Sequence, residues 1–460
     1  MAGQRRNHGT RGASRRSPPV ATTDDAERGE VTVLRWAHGG DGVAVPESGP
    51  WAGRVVFVPG SVPGDRVAVE AVEVKSRWLR TRILHVLAPS GERITPPCPV
   101  QAACGGCPWM AGSVAAQAAS REAILRGEIA KRLGREDLAV EIRPAPSAFG
   151  YRQRARFTVK PGPDGRLRAG FMGAASHAFV PAEGCSIVRP AITAALPGLL
   201  ANLPPRFDGR LTVLSGTPEG PHTSAEASPE AVAAWAEPRG GSPFPLGLAR
   251  VVVPFGPFRQ PMTPAAFAQA NPEVTAQILS DISCALHDAS DHDVARHAVE
   301  LFAGSGTLTH ALWAAGFTVD AWEVDEAARD AFFQAAERAA TAGLGATPAR
   351  PSPARDSRWS ACDLLATGLV TPPPRRPPDV VLLDPPRTGA RELVPWLRQT
   401  PARLMLYLAC DLAAALRDLQ ELTTPREADL ARPWRLTQAI SYDMFPHSGH
   451  QEVLFVLRRA

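Results

Sequence analysis

At 460 residues the chain exceeds what one hydrophobic core ordinarily organises, so two or three domains are expected. Its 44% hydrophobic and 21% charged content is that of a globular protein, and no apolar run approaches the roughly 18 residues of a membrane span. The net charge is only +4, the N-terminus lacks an apolar signal core, and seven cysteines argue against a disulfide scaffold; a cytoplasmic protein with metal-binding or catalytic thiols is expected.

Residues 1–28 open with Arg5, Arg6, Arg11, Arg15 and Arg16 and no acid among the first twenty positions, a composition that predicts a disordered basic tail. Residues 29–90 read as short strands, at Val31–Leu34, Gly42–Val45, Val55–Val58 and Val67–Val74, separated by glycine turns. This spacing suggests a small β-barrel of the oligonucleotide-binding kind. A central α+β region over 91–262 begins at Cys98 and contains a helical run at about 113–133. Within it, 216–242 reads as a surface excursion on its Gly, Pro, Ser and Ala content. From 263 to 460, apolar runs at 297–302, 317–322, 379–383 and 403–409 each precede a helical segment, which implies an α/β, Rossmann-like doubly wound sheet. Runs at about 434–442 and 451–458 read as a closing antiparallel pair.

Cys98-x5-Cys104-x2-Cys107, with Cys185 far along the chain, supplies four soft ligands, and the spacing is compatible with structural zinc or an iron–sulfur cluster. Tyr151-Arg-Gln-Arg-Ala-Arg-Phe157 alternates strictly. As a strand it puts Arg152, Arg154 and Arg156 on one face, suited to phosphate, and Tyr151, Ala155 and Phe157 on the other.

In the last region, His297-Ala-Val-Glu-Leu-Phe302 leads into Ala303-Gly304-Ser-Gly306-Thr307. The two glycines allow a tight backbone approach to a ligand, and the absent third glycine suits a nucleoside without a pyrophosphate. Glu323 closes the next strand, where a carboxylate can accept from ribose hydroxyls, and Asp363 offers a further acid for the adenine. Asp384-Pro-Pro-Arg387 ends an apolar strand over the expected cleft. Enzymes that methylate exocyclic amines usually place an aromatic residue at the fourth position, so Arg387 argues against that chemistry.

Cys410 follows the run 403–409 at a strand-to-helix junction, where a helix N-terminus is expected to lower a thiol's pKa; Cys284 and Cys362 are expected to be buried and inert. A thiolate there can add to carbon 6 of uracil and make carbon 5 nucleophilic. Removal of the carbon 5 proton then needs a base, for which Glu452 is the first candidate and His447 and His450 are lesser ones.

The order Asp-Pro-Pro-Arg-x-Gly, a cysteine after the next strand, then Phe-Pro-His-x-x-His-x-Glu resembles the bacterial RNA 5-methyluridine (uracil-C5) methyltransferase family. That resemblance spans about 31–460 and implies S-adenosyl-L-methionine as cofactor, Cys410 as nucleophile and Glu452 as base. Phe267-Ala-Gln269-Ala-Asn271 fits the family's Phe-x-Gln-x-Asn segment, which implies a cofactor contact for Gln269, with Phe302, Glu323 and Asp384, and on a looser match Asp363. It resembles in particular the 23S ribosomal RNA subgroup with an N-terminal TRAM barrel. For that subgroup a [4Fe-4S] cluster on Cys98, Cys104, Cys107 and Cys185 is implied. The expected partner is RNA, ribosomal before transfer RNA, reached with a flipped base by a monomer. Ala409-Cys410-Asp411-Leu412 departs from the family's Ser-Cys-Asn-Pro, and Thr307 replaces a frequent Asn. An RNA-binding assembly protein whose chemistry has lapsed, or a small-molecule methyltransferase, are the readings from other classes.

Overall fold

The computed structural model describes residues 27–174, 176, 178–218, 230–287, 296–347, 350–425 and 433–459. Residues 1–26 of the expected basic tail and 219–229 of the 216–242 stretch lie outside them, and Arg28, expected in the tail, opens the first strand.

Six strands form the first sheet: β1 (Arg28–Thr32), β2 (Arg35–Trp36), β3 (Gly42–Ala44), β4 (Val55–Val58), β5 (Arg66–Val74) and β6 (Trp78–Ala88). Their order, β1-β5-β6-β4-β3-β2, leaves β1 and β2 at opposite edges, so the sheet is a half-barrel. Val31, Val56, Val58, Val67, Val69 and Leu79 fill it from alternate positions along the strands.

Helix α1 (Val114–Leu133) is capped by the Ser113 hydroxyl, which accepts from the Ala116 amide at 3.0 Å, and stops at Gly134 in the left-handed region. Strand β7 (Ala139–Arg143) follows. The central sheet takes β8 (Arg154–Pro161), β9 (Leu167–Met172) and β10 (Phe179–Pro181), then, after α2 (Pro190–Ala201), β11 (Gly209–Gly216), β12 (Ala231–Pro238) and β13 (Phe244–Gly247). It is antiparallel throughout, in the order β10-β9-β8-β11-β12-β13. Residues 231–238, expected in the surface excursion, are therefore a strand. The alanines that suggested a loop by composition bury Ala233, Ala234 and Ala236. The arginine stretch alternates as expected, with Tyr151, Ala155 and Phe157 buried, although the regular strand starts only at Arg154.

A hairpin, β14 (Val251–Phe255) and β15 (Phe258–Met262), precedes α3 (Pro272–His287) and the large sheet. That sheet contains β16 (Arg296–Leu301), β17 (Phe317–Glu323), β18 (Arg358–Ala361), β19 (Val380–Leu383), β20 (Leu404–Ala409), β21 (Arg435–Tyr442) and β22 (Glu452–Arg458). Helices α4 (Thr309–Ala314), α5 (Arg329–Thr341), α6 (Leu364–Thr367), α7 (Val394–Gln399) and α8 (Leu412–Thr423) connect them. The order is β18-β17-β16-β19-β20-β22-β21-β7, parallel from β18 to β20 and closed by the antiparallel β22. Both faces are covered, so the strands are apolar on both sides: Val299 and Leu301 point to one core, Ala298 to the other.

Two pieces of the molecule sit differently from the division at 91–262 and 263–460. Strand β7 pairs in parallel with β21 as the eighth strand of the large sheet, while Leu125 and Ile129 of α1 pack with Leu383 and Met405. The β14–β15 hairpin packs Val251, Val253 and Met262 on the opposite face. A five-residue strand with no neighbour in sequence gives no sign of which sheet will take it, because pairing partners are set by tertiary packing.

Candidate active site

All the cofactor-site residues expected from sequence except Gly306 line one cavity of about 560 Å³ at the carboxyl ends of the parallel strands. Gln269, Phe302, Gly304, Glu323, Asp363 and Asp384 share it with Cys410 and Glu452. Gly306 has a different task. At φ 84° it turns the chain, and a Cβ there would lie 2.7 Å from the Phe332 ring, so its smallness admits the core behind the loop. Gln260 of the hairpin donates to the Ser305 carbonyl and fixes the same loop from the side. Phe302 holds φ at 62°, a strained value for a bulky residue, at the point where the strand becomes the glycine turn.

Glu323 accepts three backbone N–H bonds, from Gly304 at 2.9 Å, Val324 at 2.8 Å and Asp325 at 2.9 Å. It thus closes the turn at residues 324–325 and ties the glycine loop to the end of β17. Asp363 is committed to capping α6, accepting from Ala366 at 3.0 Å. The Gln269 amide donates to Asp384 at 3.3 Å, whereas Asn271 faces away and caps α3 through the Val274 amide. Burial, then the charge of Glu323, pushes Asp384 up to about 7.

Cys410 directly follows β20, and Asp411 caps α8 by accepting from the Ala414 amide at 2.9 Å. The aspartate that replaces the expected Asn therefore keeps a cap worth about 1 kcal/mol. The thiol is not lowered by the helix, contrary to expectation. Burial, followed by the carboxylates of Glu452 and Asp384, pushes it up to about 12, against a weaker opposite pull from Arg387. Glu452 is buried and raised well above the usual carboxylate range by desolvation and by Asp384.

The two histidines stand apart from this cavity. His447 is buried under Phe149, with ring centroids 4.7 Å apart, and desolvation pushes it down to about 4. His450 is exposed. Arg387 is a cavity residue to which sequence reasoning gave no catalytic or binding role. It lines the cavity and its charge acts on Cys410, Glu452 and His450, as the fourth residue of Asp-Pro-Pro-Arg could have indicated. Arg152 and Arg154 also reach the cavity; Arg156 instead pairs with Glu237 at 2.7 Å.

Cys98, Cys104, Cys107 and Cys185 line a second pocket of about 140 Å³. Burial and then the three neighbouring thiols push Cys107 up to about 12. Among the described residues no group of three or more His, Cys, Asp or Glu side chains is arranged to hold a single metal ion. Cys362 is buried as expected, but Cys284 is exposed on α3.

An open α/β sheet with a glycine turn after β16, an acid closing β17 and Asp-Pro-Pro closing β19 defines an S-adenosylmethionine-dependent methyltransferase. The TRAM domain family matches residues 27–84, the half-barrel. The chain is 29% identical over 485 aligned positions to the 23S rRNA (uracil(1939)-C(5))-methyltransferase RlmD of Halomonas elongata, covering 98% of this chain and 95% of that one. It is also 29% identical to the enzyme of the same name from Chromohalobacter salexigens, over 95% and 90% of the two chains. The crystal structure of Pyrococcus abyssi tRNA (uracil-54, C5)-methyltransferase with S-adenosyl-L-homocysteine superimposes with a TM-score of 0.62 at 17% identity, over 94% of this chain and all of that one. The chain belongs to the RNA uracil-C5 methyltransferase family, with an N-terminal TRAM domain. It is an S-adenosylmethionine-dependent enzyme that acts on RNA. No described helix is long and apolar enough to cross a membrane.

Proposed function

We propose that the enzyme methylates carbon 5 of a uridine in 23S ribosomal RNA through a covalent adduct between Cys410 and carbon 6, with Glu452 as the base. The observation that carries the reading is the meeting of Cys410 and Glu452 in one cavity with Asp384. The names of the Halomonas and Chromohalobacter relatives support the ribosomal target.

Each residue has a separate share of the work. The Cys410 thiol first loses its proton to solvent; its sulfur then bonds to carbon 6 as the carbon 5–carbon 6 double bond opens, and the electrons rest on the oxygen of carbon 4 as an enolate. S-adenosylmethionine, when bound, supplies the methyl group and leaves as the neutral thioether. Glu452 takes the remaining proton from carbon 5, the carbon 5–carbon 6 double bond re-forms, and the carbon–sulfur bond breaks to return the thiolate. Glu323 fits the ribose hydroxyls, being already oriented by three amides, and Asp384 with Gln269 faces the same cavity. Arg152 and Arg154, at the cavity, are placed to hold the backbone of a flipped nucleotide.

Cys98, Cys104, Cys107 and Cys185 would hold a [4Fe-4S] cluster. The four thiols line one pocket, where burial and then neighbouring thiols raise the proton affinity of Cys107 and Cys185, which a cationic centre would reverse. Held there, it would tie the surrounding segments together, since the methyl transfer moves no net electron.

The experiment is to map 5-methyluridine in ribosomal and transfer RNA from a deletion strain, complemented with wild type or Cys410→Ala. Loss at one 23S uridine, restored by wild type alone, is the expected result. Loss in transfer RNA would move the target, and no loss anywhere would overturn the reading.

A further inference from the structure

Between β21 and β22, residues 443–451 form the loop that delivers Glu452 to the cavity. Its backbone is held from outside the sheet. Arg121, on α1 and fully buried, pairs with Asp443 at 2.8 Å and donates to the carbonyls of Ser448 at 2.9 Å and Phe445 at 3.4 Å. One turn earlier Gln117 accepts from the His447 amide at 2.8 Å and meets its Nδ1 at 3.2 Å. Trp109 donates its amide to the His447 carbonyl at 2.9 Å, and the Arg121 guanidinium lies over the Trp109 ring, 5.2 Å from its centroid. The loop needs holding, because His447 sits at φ 68°, a conformation that persists only where the surroundings impose it.

We propose that Arg121 is a positioning residue for proton removal: by clamping residues 443–448 it sets the place of the Glu452 carboxylate, and it acts on no other step. This rests on the reading of Glu452 as the base. With no exposed surface, Arg121 acts through the groups it packs against: the Trp109 ring and, by its ion pair and hydrogen bonds, the loop. Cys410 is anchored separately, by β20 and the Asp411 cap. Formation of the carbon–sulfur bond and methyl transfer therefore proceed without the clamp, while removal of the carbon 5 proton and release of the thiolate do not. The energetics permit the test, since a buried arginine is costly and an apolar residue of similar size can replace it if its partner's charge is removed as well.

The probes are a 23S transcript carrying ordinary uridine and the same transcript carrying 5-fluorouridine, from which the fluorine cannot be removed as a proton. Full-length wild type, Arg121→Lys, Arg121→Met and the double variant Arg121→Met with Asp443→Asn are compared, each with its melting midpoint. Wild type should trap the fluorinated transcript; if it does not, the Cys410–Glu452 reading fails and the clamp with it. For Arg121→Met, or for the double variant if the single one does not fold, the expected result has two parts. Trapping of the fluorinated transcript stays within about threefold of wild type, and the SDS-resistant methylated adduct on ordinary RNA rises about tenfold. Arg121→Lys recovers part of the turnover. Parallel loss of trapping and turnover, or turnover equal to wild type in a folded variant, overturns the proposal while leaving the catalytic reading intact.

Discussion

Cys410 and Glu452 stand opposite each other across two antiparallel strands. Ala409 pairs with Val453 in the β20–β22 register, so the next position along places the thiol level with the carboxylate. Residues far apart in the chain are thereby brought to one end of the sheet by backbone pairing. The roles proposed for the pair separate cleanly. Glu452→Gln should retain adduct formation, accumulate it on ordinary RNA and lose about 10³-fold in turnover, whereas Cys410→Ala should form no adduct even with 5-fluorouridine. Gel analysis of SDS-resistant complexes checks both.

The thiol of Cys410 should react slowly near neutral pH. With burial and two carboxylates holding it at about 12, its alkylation by iodoacetamide should climb about tenfold per pH unit from 7 to 10 without levelling off. A cation in the cavity reverses the cause. Sinefungin, whose amine is positive, should speed alkylation at pH 8 relative to the neutral S-adenosylhomocysteine. Equal rates with the two ligands would show that the cofactor's charge does not reach the sulfur.

Glu323 holds the glycine loop through its bond from Gly304 and is the residue proposed to take the cofactor's ribose. Replacing it with Gln removes the charge that strengthens these bonds, each worth about 1.5–3 kcal/mol when ionic. S-adenosylmethionine affinity measured by calorimetry should fall about 10- to 100-fold, and the melting midpoint should fall too, because the loop loses the strength of the same three bonds.

Asp320 governs acid stability. It is buried on β17, with Arg375 at 2.6 Å, Arg358 at 3.2 Å and His297 at 3.4 Å, and although desolvation opposes it, these partners and the Arg375 amide bring it down to about 2. A carboxylate lowered on folding stabilises the protein above its unfolded value of about 4 and loses that contribution as pH falls towards 2. The shift amounts to about 2 kcal/mol at pH 7. Asp320→Asn should therefore lower stability at pH 7 and flatten the acid limb of a denaturation series.

For the four-thiol pocket, anaerobic reconstitution with iron and sulfide should give about four irons per chain. Cys107→Ser, and equally Cys185→Ser, should leave fewer irons and a broadened visible absorbance. Binding of zinc alone, with no iron retained, would return the site to the other reading of its spacing.

Much of the site could be read from sequence because its residues sit at strand ends, where a run of apolar residues followed by Asp-Pro-Pro or by Cys locates the edge of a cleft without knowledge of the whole fold. Glu452 was legible in the same way, ahead of an apolar strand. The features that escaped depend on partners distant in the chain. Nothing around 139–143 announces β7 as part of the large sheet, and nothing near Arg121 says that it reaches Ser448. The raised thiol pKa escaped for a related reason: the helix N-terminus is local and visible, while the burial that raises the thiol, and then the two carboxylates from the ends of β19 and β22, come from distant parts of the chain. His447 looked like chemistry and serves packing, because its ring points into the interior.

The capture of β7 by β21 also bears on how the protein is made. Gln438 pairs with Ala139 across roughly 300 intervening residues, a closure among the slowest kinds of contact for a chain to find. On the ribosome, α1 and β7 emerge long before the strand they need, and the loop carrying Glu452 gains Arg121 and Gln117 only after β21 arrives. A partly synthesised chain can thus hold a folded TRAM sheet yet possess no finished catalytic loop, so competence for chemistry comes late and all at once.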